Sequence, residues 1–152
     1  MNSSTAIHDR PRESLGVLLA MVRSELVRAM EAESTAKGLG LRFTQFLILK
    51  RLALRGPMTA TELARAVELD GGAMTRQLDQ LESRGCLRRC PHAQDRRALR
   101  IELTAAGDVL WKEMNTCNEH VLAAAQRSLS ETEREHLRTY LERVLNALRD
   151  KN

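Results

Sequence analysis

Residues 69–104 constrain the fold of this 152-residue chain more than any other stretch, because one helical pattern is followed there by two strand-like patterns. The first part repeats apolar residues at helical spacing, at Met74, Leu78 and Leu81. Gly85 is placed to end that helix. Residues 87–90 and 99–103 are short candidate strands on either side of a loop at 91–98. The stretch therefore predicts a helix and a two-stranded β-hairpin. In the second strand, alternation predicts three inward side chains: Leu99, Ile101 and Leu103.

Amphipathic helices are predicted on both sides of this stretch. One spans residues 11–37, and two more occupy residues 105–149. Two further helices are predicted between the first of these and the 69–104 stretch. One is capped by Thr44, and the other is short and begins with a capping box of Thr59 and Glu62. Further helix starts are predicted at Asp70, Thr104 and Ser130.

This order of elements predicts a mainly α fold with a small β-hairpin wing, namely a winged helix-turn-helix over residues 41–104. Long helices flank that core, and residues 1–152 are predicted to form a single domain. The flanking helices carry more apolar surface than the core could cover, which favours pairing with a second copy as a homodimer.

Positive charge is concentrated in the predicted hairpin. Six arginines lie between residues 84 and 100 against a single acid, Asp95, although the net charge of the whole chain is only +4. Such a local excess is typical of proteins that bind nucleic acid. Aromatic residues make up only 3% of the chain, which argues against recognition by base stacking. The expected partner is therefore double-stranded DNA.

The helix of the 69–104 stretch is the predicted DNA-reading element. Such a helix enters the major groove by its N-terminal end, where small side chains allow a close approach: Gly71, Gly72 and Ala73. Thr75 is expected to contact a phosphate or a thymine methyl, Arg76 a guanine edge, and Gln80 an adenine. The remaining expected DNA contacts are Thr59, Thr61, Arg84, Arg96 and Arg97. The alternative is a solvated helix face without a partner.

The hairpin tip combines arginines with one acid. Arg96 is expected to enter the minor groove, whose narrow parts attract positive charge. Asp95 is expected to shape the loop instead, because phosphate repels a carboxylate.

The segment Asp95-Arg96-Arg97 with Leu103-Thr104 resembles the D-x-R and L-T wing signature of the MarR family of bacterial transcription regulators. The similarity runs from residues 41–46 through 56–64, 74–85 and 104–107. The resemblance implies a triangular homodimer, with the first and last helices at the dimer interface and two winged domains on a palindromic operator. It also implies that Arg97 is a structural partner of Asp70, so that Asp70, Asp95 and Arg97 shape the wing.

The resemblance further implies a repressor that releases DNA when a small anionic aromatic compound binds between the dimerisation helices and the DNA-binding core. The candidate pocket residues are Arg23, Phe46, Trp111 and Met114, where an arginine would pair with a carboxylate. Ordinary core or surface packing is the alternative for each of the four.

Two other kinds of site are alternatives to this interpretation. One alternative is a metal site, because Cys86, Cys90 and His92 fall on one face of an alternating strand. However, no fourth ligand is evident, and C-x3-C-x-H is not the usual zinc spacing. A thiol-based redox regulator of the same fold is a second alternative, although residues 11–37 contain no cysteine. For Cys86, a small buried residue is the favoured interpretation, and the three cysteines are expected to be reduced thiols.

Other function classes leave part of the sequence unexplained. The four histidines are scattered and no nucleophile, base or metal cluster is apparent, so we expect no enzyme, no catalytic residue, no metal and no cofactor. A helical protein-interaction module would leave the basic hairpin without a role. No apolar run has membrane-spanning length and residues 1–12 are polar, so a cytoplasmic protein is expected.

Overall fold

The structure, a computed structural model, describes residues 12–91, 94 and 98–150. Helices dominate it and a small antiparallel sheet accompanies them, which confirms the predicted mainly α fold. The elements in chain order are α1 (Leu15–Ala36), α2 (Phe43–Arg55), β1 (Met58–Thr59), α3 (Ala60–Val67), α4 (Gly71–Ser83), β2 (Leu87–Pro91), β3 (Leu99–Leu103), α5 (Ala105–Ala125) and α6 (Glu131–Arg149).

Four predicted helix starts are confirmed, because each side chain accepts a hydrogen bond from a backbone N–H group of the first turn. The residues are Thr59, Asp70, Thr104 and Ser130. Both halves of the predicted capping box at α3 are present, with the Thr59 N–H donating to Glu62 Oε2 at 2.8 Å. Gly85 follows the last turn of α4 with a positive φ of 71°, as a C-terminal cap requires.

The predicted start of α2 at Thr44 is wrong. Arg42 occupies the cap position and Thr44 lies inside the first turn. Two longer side chains accept the free N–H groups there: Gln45 Oε1 from Arg42 at 3.2 Å, and Glu31 Oε1 from Phe43 at 3.0 Å. A glutamate on α1 therefore takes the place of a local threonine cap. The start of α1 also lies later than predicted, at Leu15 after Ser14.

The sheet contains a strand that the sequence pattern did not indicate. β1 pairs with β3, and β3 pairs with β2, so the strand order is β1-β3-β2 and both pairings are antiparallel. Ile101 is 1% exposed and faces the core as predicted, but Leu99 is 48% exposed. The inward prediction for Leu99 is wrong because it pairs with Pro91 at the outer end of the hairpin.

The core lies between the winged unit and the adjoining parts of α1 and α5. Met30 of α1 and Met114 of α5 are buried beside residues from every element of the winged unit. Gly107 marks the closest approach, since a Cβ atom there would lie 2.0 Å from the carbonyl oxygen of Cys86. α5 therefore packs directly on the turn between α4 and β2.

Large parts of the two terminal helices are left uncovered by the rest of the chain. No residue of α6 is buried, and its apolar row is exposed at Leu137, Leu141, Val144, Leu145 and Leu148. The first half of α1 exposes a similar set: Leu15, Val17, Leu18, Met21 and Val22. In the described part of the chain, no helix combines the length and the apolar character needed to cross a membrane.

Candidate nucleic-acid interface

The outer face of α4 is polar and exposed. Met74, Leu78 and Leu81 point into the core with exposures of 1% or less, which confirms their predicted inward orientation. Arg76 lies on the opposite face and is exposed. It forms no hydrogen bond or ion pair with another described residue, so its guanidinium is available to a partner.

α4 begins with two glycines, and no close contact within the chain requires glycine at either position. Gly71 and Gly72 have ordinary negative φ values, and both are exposed. A Cβ atom would meet nothing within 4 Å at Gly71, and only Asp70 Oδ1 at 3.4 Å at Gly72. Since glycine lowers helix stability, the pair leaves the backbone open on this side at some cost to the helix. Ala73 beside them is half-buried.

Two of the other predicted contacts on α4 are exposed but already make one hydrogen bond each. The Thr75 hydroxyl donates to the Gly71 carbonyl at 2.9 Å. Gln80 Oε1 accepts from Gln45 Nε2 at 2.9 Å, although Gln45 lies on α2 and is only 4% exposed. Gln45 is not among the residues predicted from the sequence; its signal there is a glutamine on the face of α2 that is otherwise apolar and buried.

The two threonines at α3 differ in their accessibility. Thr59 is half-buried and its hydroxyl accepts the Glu62 N–H at 3.2 Å, so it is occupied as a helix cap. Thr61 is exposed in the first turn of α3. Of the pair, Thr61 is the better placed to meet a phosphate.

Arg84 is turned toward the loop between α1 and α2. Its guanidinium donates to the carbonyl oxygens of Leu39 at 2.6 Å and Gly40 at 3.0 Å. These bonds tie the end of α4 to that loop. They give Arg84 a structural role, and the predicted DNA contact receives no support from its geometry.

Acids from neighbouring elements neutralise much of the positive charge that lies close together in the sequence. Arg88 pairs with Glu102 at 2.8 Å across the β2-β3 ladder, and the hydrogen bond from Arg88 lowers the pKa of the Glu102 carboxyl. Arg89 pairs with Asp79 of α4 at 2.8 Å, and also with Glu82. The charge excess expected from residues 84–100 is therefore smaller in the folded molecule than the sequence count suggests.

Several predicted wing residues lie outside the described residues, namely His92, Asp95, Arg96 and Arg97. Their assignments stay predictions. Asp70, the expected partner of Arg97, is described: its Oδ1 accepts the Ala73 N–H at 2.8 Å and so caps α4.

The four candidate ligand-binding residues do not share one environment. Phe46 and Met114 are 2% and 0% exposed and belong to the core. Trp111 is half-buried and donates from Nε1 to Asp108 Oδ1 at 3.0 Å, beside a cleft of about 490 Å³ between α2, β3 and α5 that includes Asp108. Arg23 is exposed on α1 and has no ion pair within the described part of the chain.

The cysteines are placed as packing residues. Cys86 and Cys117 are buried and Cys90 is half-buried. Burial raises the pKa of the Cys86 thiol, which disfavours the thiolate that metal binding or oxidation would need. The described residues contain no group of three or more His, Cys, Asp or Glu side chains arranged to hold a metal ion.

Known proteins match this chain in both sequence and structure. The MarR family model matches residues 41–99. The multiple antibiotic resistance protein MarR of Salmonella typhimurium is 31% identical over 99 residues, which are 65% of this chain and 67% of that protein. The HTH-type transcriptional repressor MdtR of Bacillus subtilis is 26% identical over 133 residues, 88% of this chain and 82% of that protein. A solved mutant of E. coli MarR complexed with operator DNA is 27% identical with a TM-score of 0.77, covering 86% of this chain and 93% of that one.

Proposed function

This chain belongs to the MarR family of transcriptional regulators, and from that premise we propose that it is a repressor whose homodimer binds a palindromic operator. Its relatives are transcriptional regulators and not enzymes. In this proposal α4 enters the major groove, the wing contacts the neighbouring minor groove, and a small aromatic carboxylate releases the DNA. Operator binding would take place in the cytoplasm.

The observation that carries the proposal is the outer face of α4. Arg76 is exposed there without a partner among the described residues, and the two glycines of the first turn leave the backbone open. An arginine of this kind can donate two hydrogen bonds to the O6 and N7 atoms of guanine. The operator complex of the E. coli relative supports DNA as the partner.

Selection from a library of randomised duplexes tests operator binding. We expect the chain to enrich one palindrome, and its affinity to fall by orders of magnitude between about 50 and 200 mM salt. An apolar protein-interaction module would not show that dependence on salt.

The Arg76→Ala variant tests the role of α4. It should lower operator affinity by about 1–3 kcal/mol and relax the preference at one base position, because the guanine contact is lost. Arg143→Ala is the matched control, since Arg143 is exposed on the side of α6 opposite its apolar row and the charge change is the same. An unchanged base preference for Arg76→Ala would contradict the assignment.

The homodimer is proposed from the uncovered apolar faces of α1 and α6. Leu141 is 40% exposed in the single chain, and a second copy would cover it. The Leu141→Glu variant should weaken the dimer strongly, because each interface would then bury two carboxylates. Light scattering would show a monomer at concentrations where the intact chain is a dimer. Glu142→Gln on the polar side of α6 serves as the control.

Arg96 is proposed as the minor-groove contact, with Asp95 and Arg97 shaping the wing. Because a narrow minor groove attracts charge without reading much sequence, Arg96→Ala should lower affinity for all duplexes with little change in base preference. An affinity at fixed salt equal to that of the intact chain would contradict this role.

Release by a small aromatic carboxylate is proposed as well, with Arg23 as the candidate partner of the carboxylate. Trp111, which bonds Asp108 of the cleft beside α5, is a separate candidate for contact with the ring. The buried positions of Phe46 and Met114 favour indirect roles for them. Benzoate can serve as the probe, and it should raise the thermal midpoint of the free protein while weakening operator binding. Arg23→Ala should reduce both effects. Benzoate with no effect on either measurement would contradict the proposal.

A further inference from the structure

Gln45 connects the buried start of α2 with the exposed DNA-reading helix. Its side chain is 4% exposed, yet both ends of its amide are hydrogen-bonded. Gln45 Oε1 accepts the backbone N–H of Arg42 at 3.2 Å, and Gln45 Nε2 donates to Gln80 Oε1 at 2.9 Å. A buried amide thus holds a side chain that reaches the surface of α4.

The direction of these hydrogen bonds follows from the backbone. A peptide N–H group can only donate, so the Gln45 atom facing Arg42 has to be the oxygen. The other end of that amide is then an amino group, which requires an acceptor on Gln80. Gln80 Oε1 is thereby held toward α2. Gln80 Nε2 makes no hydrogen bond with any other residue in the described ranges, so the amino group is what remains for a partner.

We propose that Gln45 is a specificity-determining positioning residue, which sets the amide of Gln80 so that its amino group faces the bases. This inference rests on the proposed operator binding through α4. Gln80 and Arg76 are four residues apart and therefore neighbours on the helix surface. Gln45 itself touches no DNA and acts through Gln80.

The orientation changes which base Gln80 should read. The usual contact of glutamine with adenine uses both the amino group and the oxygen of the amide. Because the Gln80 oxygen is turned toward Gln45 on α2, the amino group is the end of the amide left for the bases, and it requires an acceptor in the major groove. Guanine offers O6 and N7, thymine offers O4, and adenine offers N7 beside its N6 donor, whereas cytosine offers only the N4 donor. Gln80 therefore prefers guanine or thymine on the contacted strand, binds adenine less well because its N6 donor stays unpaired, and rejects cytosine.

The first step of the test finds the base that Gln80 contacts. Duplex selection is carried out with the intact chain and with Gln80→Met, which keeps the side-chain length but has no amide. The position that loses its preference in Gln80→Met is the position read by Gln80. The position read by Arg76 should keep its preference and is the internal control.

The second step reverses the orientation of the Gln80 amide. In Gln45→Glu the carboxylate still accepts the Arg42 N–H, but it has no proton to offer Gln80, so Gln80 should turn and donate its amino group to the introduced carboxylate instead. The Gln80 oxygen then faces the bases and favours the N4 donor of cytosine or the N6 donor of adenine. We expect a change of about tenfold in relative affinity at that one position, measured at about pH 8.5 to keep the carboxyl ionised.

Gln45→Met is a second test variant, because the buried carboxylate of Gln45→Glu could unfold the protein. Gln45→Met offers neither a donor nor an acceptor, so the Gln80 amide can take either orientation and the preference at its position should broaden. Thermal unfolding of each variant identifies those that are folded.

The outcomes separate this inference from the function on which it rests. If the intact chain enriches no operator, the proposed function fails and the inference fails with it. If it enriches an operator but Gln45→Glu and Gln45→Met keep the original preference at the Gln80 position, the inference alone is overturned. A swap with Gln45→Glu, or a broadened preference with Gln45→Met, at that position and not at the Arg76 position supports it.

Discussion

Adding one methyl group at Gly107 should destabilise the protein severely. The new Cβ atom would lie 2.0 Å from the carbonyl oxygen of Cys86 and 2.7 Å from Cδ1 of Leu103. Leu103 can rotate away, but the oxygen belongs to the backbone, so α5 has to move away from the turn between α4 and β2. That movement stretches the bonds from Thr104 N to Cys86 O at 3.1 Å and from Thr104 Oγ1 to Gly85 O at 2.6 Å.

The expected loss of stability is the sum of overpacking at the new methyl group and the weakening of these two hydrogen bonds. Overpacking costs about 1–3 kcal/mol and each weakened hydrogen bond about 1 kcal/mol, so Gly107→Ala should lower the free energy of unfolding by about 3–5 kcal/mol. This is a large share of the roughly 5–15 kcal/mol that stabilises a typical domain.

Urea unfolding at one fixed protein concentration measures the effect, because the stability of the proposed dimer would depend on concentration. Trp111, the single tryptophan of the chain, lies one helical turn after Gly107 and reports the transition by fluorescence. Gly71→Ala is the matched control, since its Cβ atom would meet nothing within 4 Å. It should raise the free energy of unfolding by up to about 1 kcal/mol. Equal stability of Gly107→Ala and the intact chain would refute the close packing of α5 on the turn.

Two further expectations concern the DNA-facing surface and the α1-α5 contact. Gly72→Leu should leave the free energy of unfolding unchanged or higher but lower operator affinity more than tenfold, as titration of a labelled duplex would show, because the bulky side chain keeps the backbone from the DNA. Glu33 has a pKa lowered by hydrogen bonds from Lys37 and His120, so its stabilising contribution is present above the ordinary carboxyl range and is lost as the pH falls. Between about pH 6 and pH 3, the free energy of unfolding should therefore fall less for Glu33→Gln than for the intact chain.

Local signals in the sequence were sufficient for most of the fold. A cap is a contact between residues three apart, so Thr59, Asp70, Thr104 and Ser130 could be recognised without knowing what packs around them. The start of α2 could not, because Glu31 of another helix accepts one of its N–H groups. β1 is only two residues long and exists through its pairing with β3, so it has no periodicity to detect.

The charge of the candidate interface also depends on contacts between residues that are distant in the sequence. Counting residues 84–100 finds one acid, but folding brings Asp79, Glu82 and Glu102 onto Arg88 and Arg89. An arginine run in sequence is therefore a weak guide to the charge that a DNA molecule would meet. Arg76, which lies outside that run, is exposed and has no ion pair with another described residue.

Hydrogen bonds to the backbone also connect α4 to α1, and no side-chain pattern could have revealed them. Ser34 of α1 is fully buried and bonds both the N–H and the carbonyl of Leu41, at 3.1 and 3.0 Å. Arg84 at the end of α4 bonds the carbonyls of Leu39 and Gly40 in the same loop. The loop after α1 is thus held by α1 on one side and by α4 on the other. Because α1 also carries an uncovered apolar face, the position of α4 depends on the helix through which two copies would pair. In the proposed homodimer, the distance between the two recognition helices would then respond to any shift of α1, and the α1-α2 loop would connect dimerisation with operator spacing.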